Sequence, residues 1–436
     1  MLDKLFKIKK TKYVEFVLIL VLMLMPFYNN FFKTVASQYH FDVFMVDTQS
    51  LVWGRIANSD QNGIFSEGLF MGRCYPVPEE CEGNNSKCAK RYQKKIYLNK
   101  YNIERFDIYK THPAFHTLFY TCLNKILNLK PDRKVDLFMF ITALINAFIF
   151  TFLITILFGR YGLFITFFIT FFLLLNYWFV CYGNEMYMFI GFMFIPLVVA
   201  WKVFKEELSN SKVLLFITLA VLVKYLLTGF EFISCSVLMV FVPIVFFAIE
   251  NKWKLKKIIF NSVLSVAAVL IATFLVLLVL SLQLWLLEGD FYAGIEHLMS
   301  RFVYRTVGAG EITPDRLELL SVMNFYWNES AIKLSETIVF SFGALVFLHF
   351  GASLLLLFFK KHKGLIAASF VALFVSLSWF VLFRQHAAVH LHVDPIVWYM
   401  PYLFFAFAVL GVLLKELFLI SHKKLSSNSI YFSKQQ

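Results

Sequence analysis

Apolar runs of about twenty residues recur along the whole of this 436-residue chain. No other feature restricts its fold as strongly. Wound as a helix, a run of that length crosses the ~30 Å hydrocarbon core of a bilayer. In hydrocarbon every backbone N–H and C=O must find its partner inside the protein, which leaves helices or a closed barrel. Ten such runs are read, at about 14–32, 137–158, 162–181, 187–203, 213–230, 232–249, 258–286, 337–359, 365–383 and 401–420. A single soluble core cannot absorb a chain that is 59% hydrophobic, carries 54 phenylalanines and has a mean hydropathy of +0.69. The fold class expected is therefore an all-α polytopic membrane protein of about 10 transmembrane helices. The least regular stretch is 213–249, where Lys224, Thr228, Gly229 and Glu231 interrupt the apolar run. It predicts a hairpin whose tip lies at the outer surface.

Charge supplies the orientation. The net charge is +13 and the sequence pI about 9.3. About 20 of the Lys and Arg residues, against about 5 acids, fall in the N-terminal tail, the alternate short loops and the C-terminal tail. Lys202, Lys205 and Lys212 form one cluster, and Lys252, Lys254, Lys256 and Lys257 another. Lys360, Lys361 and Lys363 follow, then Lys423 and Lys424. This is the positive-inside pattern. It predicts a multi-pass protein of the bacterial cytoplasmic membrane with both termini cytoplasmic, and it makes nucleic-acid binding an unnecessary explanation of the basic pI. The N-terminal run follows a lysine-rich tail and lacks a small-residue cleavage site, so a retained anchor is expected rather than a signal peptide.

The outer face then receives three inserts, 33–136, 287–336 and 384–400, on a chain that otherwise reads as one membrane domain without internal repeats. Helical spacing of apolar residues within 41–70 and 113–129 predicts helices lying on the outer membrane surface. Between them stand Cys74, Cys81 and Cys88, and Cys122 follows. Outside the cytoplasm such cysteines predict a structural disulfide, its connectivity left open.

Several residues in these inserts carry chemistry. Asp42 and Asp47 stand soon after the first span, where a carboxylate above the membrane could take a proton from an acceptor group; a helix cap is the structural alternative. His112 precedes Pro113 at the expected start of a surface helix. Arg301 and Arg305 share a helical face and could clamp a phosphate. Arg384, His386, His390, His392 and Asp394 fall within eleven residues at the end of a span. Imidazoles beside a carboxylate could line a phosphate site or hold a divalent metal. Glu185, Lys224 and Glu231 are ionisable groups at or near membrane depth, where function is the default expectation.

The layout resembles the GT-C superfamily of integral membrane glycosyltransferases. It has many spans, a large first outer loop and an acid, Asp47 or Asp42, soon after the first span. The stretches Asp47–Ile56, Lys224–Glu231 and His386–Trp398 look like a bacterial branch of such proteins. The resemblance implies a membrane enzyme of the cell envelope that moves a sugar from a polyprenyl-phosphate carrier to an acceptor at the outer face. In it Asp47 would be the base, Arg301, Arg305 or Arg384 would neutralise the departing phosphate, and His386, His390 and His392 would line the site. The partners expected are the lipid-linked sugar donor and membrane lipid. The resemblance fixes no cofactor, and a divalent metal is an optional addition. A polysaccharide polymerase or ligase is the alternative within lipid-linked sugar chemistry. A transporter or flippase is disfavoured, because no internal duplication is present.

Overall fold

The computed structural model describes residues 10–31, 33, 35–44, 46–76, 86–111, 113–306, 318–334 and 338–433. Helix dominates, as a chain of lipid-length apolar runs requires. Helix α1 (Lys10–Asn29) leads into the first insert, which folds as α2 (Gln38–Val43), α3 (Val46–Asn62), β1 (Met71–Tyr75), α4 (Ser86–Asn99), β2 (Arg105–Tyr109) and α5 (His116–Ile126). The bundle continues with α6 (Pro131–Phe158), α7 (Leu163–Leu174), α8 (Tyr177–Cys181), α9 (Ile195–Lys205), α10 (Asn210–Thr228), α11 (Ile233–Leu238), α12 (Phe241–Glu250) and α13 (Leu255–Glu288). The second insert carries α14 (Phe291–Thr306), α15 (Leu319–Asn328), β3 (Ser330–Lys333) and β4 (Val339–Ser341). The chain ends with α16 (Phe342–Phe358), α17 (Lys363–Leu382), α18 (Arg384–Val389) and α19 (Tyr402–Ser433).

Among the described residues, seven helical segments are long and apolar enough to cross a membrane, or eight if one bent pair counts as a span. Three of the ten expected runs take other forms. The run at 162–181 becomes α7 and α8, bent by 85°. The bend is local chemistry: the Asn176 side chain accepts the N–H groups of Trp178 (2.8 Å) and Phe179 (3.2 Å), capping α8 and ending α7. The run at 187–203 becomes a 3-10 turn, Ile190–Phe194, followed by the eleven residues of α9. The run at 337–359 gives up its start to β4, and α16 has 17 residues. At 1.5 Å per residue the 12-residue α7 covers only ~18 Å, well short of the ~30 Å its neighbours cross. The chain between α7 and α9 therefore turns inside the bundle and leaves a recess beneath the inserts.

One end of the bundle is tied by ion pairs among the basic loops. Arg160 meets Glu250 at 2.8 Å, Lys257 meets Glu207 at 3.2 Å, and Lys361 and His362 both reach Glu416. The other end carries the inserts.

The first insert is a folded cap. Strands β1 and β2 pair antiparallel, from Met71 opposite Tyr109 to Tyr75 opposite Arg105. Helix α3 is buried over Ser50–Ser59, which corrects the expectation that it lies on the membrane surface. Its Trp53 stacks between Tyr97 of α4 and Phe138 of α6, and this fastens the cap to the bundle. Arg55 is nearly fully buried and donates to the carbonyls of Ser66 (2.7 Å) and Ile64, closing the turn after α3; burial pushes its pKa down to about 10. Helix α5 does show an amphipathic face, with Phe119 and Ile126 exposed. Cys88 is disulfide-bonded, while Cys81 lies outside the described residues. Cys74 and Cys122 are free. The buried Cys74 thiol donates to the Gly54 carbonyl at 3.2 Å, and burial raises its pKa to about 12, so it is an inert packing group.

Candidate functional site

The recess opens into a cavity of about 760 Å³ between the first insert, the second insert and the turn after α17. Seven of the residues singled out in the sequence line it: Asp47, Glu231, Arg301, Arg305, His386, His390 and His392. Residues as far apart in the chain as Tyr39 and Val393 meet here.

The first wall is the start of α3. Asp47 sits in its first turn, where a carboxylate is favoured by the helix N-terminus. It is half exposed and paired with two cations, Lys90 at 2.6 Å and Arg73 at 3.3 Å. Behind it Gln49 donates to the buried Glu185 at 3.0 Å, and the Tyr187 N–H donates to the same carboxylate at 2.9 Å. Burial pushes Glu185 up to about 8, against the downward pull of those hydrogen bonds, so near neutral pH it is protonated.

The second wall joins α14 to the loop after α10. Arg305 donates to Glu231 at 2.9 Å, with both side chains largely removed from solvent. The Tyr187 hydroxyl donates to the same carboxylate at 3.2 Å. Burial works to lower the Arg305 pKa, yet Glu231 and the phenols of Tyr109 and Tyr187 hold it above its ordinary value. Arg301 lines the cavity one turn earlier on the same face and is exposed.

The third wall is the histidine turn. His386 Nδ1 lies 3.1 Å from Asp394 Oδ2, and Trp379 Nε1 donates to the same oxygen at 2.7 Å. The His386 and His390 rings lie 4.3 Å apart. Burial, helped by His386, pushes His390 down to about 4, so its imidazole is neutral at physiological pH.

A second cavity of about 600 Å³ adjoins the first and shares Thr111, Arg301 and Arg305 with it. It is otherwise almost wholly apolar, running between α13 (Phe274, Leu277, Leu278) and α14 (Ile295, Met299, Phe302). Phe274, Leu277 and Leu278 belong to the exposed apolar face of α13, so the groove opens on the flank that would face lipid.

Comparison with protein-family models, curated proteins and solved structures finds no match. The site must therefore be read from its own geometry.

Three predicted residues stand elsewhere. Asp42 is exposed on α2, accepting from Gln38 at 2.9 Å, because its helix turns it outward. Arg384 is exposed at the start of α18, and it is Gln385 and His386 that turn inward. Lys224 is fully buried but outside the cavity lining. Its ammonium donates to the carbonyls of Gly229 (2.8 Å) and Glu231 (2.7 Å), pinning the bend after α10 rather than pairing with the Glu231 carboxylate. His112 lies outside the described residues. Among the described residues no group of three or more His, Cys, Asp or Glu side chains is arranged to hold a metal ion, so the optional divalent metal has no ligand set there.

Sequence reasoning missed Tyr109, Tyr187, Arg73, Lys90 and Trp379. None carries a local signal, since each acts through a partner distant in sequence. A third cavity of about 700 Å³ in the cap, around Asn124 and Lys134, contains none of the predicted site residues.

Proposed function

We propose that the protein is a membrane glycosyltransferase that moves a sugar from a polyprenyl-phosphate carrier to an acceptor at the outer face. One observation carries this reading. Arg301 and Arg305 stand at the junction of a polar cavity and an apolar groove open to lipid. A prenyl-linked phosphate has this same division, an apolar chain joined to a dianionic or monoanionic head. The groove takes the chain, the arginines take the phosphate, and the sugar projects into the polar cavity beside Asp47 and the histidines. Developing negative charge on the leaving phosphate is stabilised by guanidinium groups already in place. Both termini are then cytoplasmic, and the site faces outward from the cytoplasmic membrane.

The test is lipid extraction from the purified full-length protein followed by mass spectrometry. Wild-type protein should retain a polyprenyl-phosphate species, and Arg301→Ala should retain at least tenfold less. Retention of bulk phospholipid alone by the wild type would sink the reading.

A further inference from the structure

Asp394 lies behind the cavity wall and has no solvent exposure. Its Oδ2 holds Trp379 Nε1 and His386 Nδ1 together. A histidine that donates from Nδ1 to a carboxylate keeps its lone pair on Nε2. The His386 ring borders the cavity, and its Nε2 has no hydrogen-bond partner among the described residues. A buried acid that orients an imidazole, with the far nitrogen left open toward a substrate cavity, is the arrangement of a general base. Asp47 is differently placed, since two cations already occupy its carboxylate.

We propose that His386 is the proton acceptor of the transfer reaction and that Asp394 is its positioning residue. This rests on the glycosyl-transfer reading above. The acceptor's oxygen or nitrogen attacks the anomeric carbon and forms the new glycosidic bond. The bond from that carbon to the phosphate oxygen breaks, its electron pair leaves with the polyprenyl phosphate, and the acceptor's proton passes to His386 Nε2. Asp394 balances the imidazolium that results. Asp47, held by Arg73 and Lys90, orients the acceptor or the sugar instead.

The charged and titratable groups around His386 come from several elements. Its own turn brings Arg384, His390, His392 and Asp394, and α14 brings Arg301, Tyr304 and Arg305. Tyr326 of α15 donates to the Ala387 carbonyl at 2.7 Å, Tyr182 donates to the Val393 carbonyl at 3.1 Å, and Glu231 lies across the cavity. The His390 ring, tilted against that of His386, is neutral and adds no second positive charge.

The experiment uses full-length protein reconstituted in vesicles of total lipid extract from the expression host, which supplies the donor pool. Release of free polyprenyl phosphate is followed from pH 5 to 9. Wild type should show release that is lost on the acid side. His386→Gln should slow it about 100-fold or more and abolish that acid limb, while keeping the copurified lipid that shows an assembled site. Asp394→Asn should slow release at least tenfold and change the same limb, whereas Asp47→Asn should keep it. If the wild type releases polyprenyl phosphate and His386→Gln retains both rate and acid limb, His386 is not the acceptor although the transfer reading stands. No release by the wild type at any pH overturns both.

Discussion

Gly54 and Gly72 meet backbone to backbone, and that contact seats the helix carrying Asp47. A Cβ on Gly54 would lie 2.2 Å from the Gly72 carbonyl oxygen and 3.0 Å from Gln93 Oε1. Neither can move freely, since Gly72 is in β1 and Gln93 is fully buried, bonded to both the N–H and the carbonyl of Cys74. Gly54→Ala should therefore cost roughly 1–3 kcal/mol by overpacking. It should also tilt α3 and weaken lipid retention, both readable as a lower melting temperature and less copurified lipid. At this scale the sequence was informative about residue type and silent about direction. Asp47, Glu231 and His386 were visible as charged or titratable groups beside apolar runs, and they do line the cavity. Asp42 and Arg384 are charged as well, only one and two residues from the cavity-lining Val43 and His386, and are exposed outside the lining. A rotation of about 100° per residue along a helix separates the two outcomes, and it is set by what the helix packs against.

Among elements, the segment from α7 to α9 departs most from its sequence pattern. Of two apolar runs read as full spans, the first is a bent pair because Asn176 ends α7 early and caps the next turn, and the second is a 3-10 turn followed by a short helix. Hydropathy measures how much a segment prefers lipid, and it cannot register a side chain that satisfies two backbone donors mid-run. The same departure buries Glu185, in the turn between α8 and α9. Its pKa is raised from 4.5 to about 8, so the folded state holds a proton that the unfolded chain gives up at lower pH. Stability is then greatest below about 4.5, falls as pH rises toward about 8, and is level above that. Glu185→Gln, a neutral mimic of the protonated acid, should flatten this dependence. Melting temperatures of both proteins between pH 5 and 9 check it: the variant should gain on wild type as pH rises, and parallel curves would refute the assignment.

For the molecule as a whole, the inserts gather at one end of the bundle and the basic loops at the other, which makes the proposed orientation testable. Asn102 of the cap and Lys361 of a basic loop are both exposed. In a cysteine-free background, Asn102→Cys should react with a membrane-impermeant maleimide on intact spheroplasts, and Lys361→Cys only after permeabilisation. The reverse pattern would put the cavity on the cytoplasmic side.

By itself the sequence determined that the chain is helical and apolar enough to live in a membrane, with its polar material in three inserts and in the basic loops and tails between the apolar runs. Composition and run length suffice for that, because the hydrocarbon penalty for an unpaired backbone acts on every residue alike. Only the tertiary structure decided which acid meets which base. The Arg305–Glu231 pair, the Gln49–Glu185 hydrogen bond and the groove shared by α13 and α14 each depend on helices crossing at particular heights and angles. Those are set by side-chain packing between distant segments, which no local pattern records.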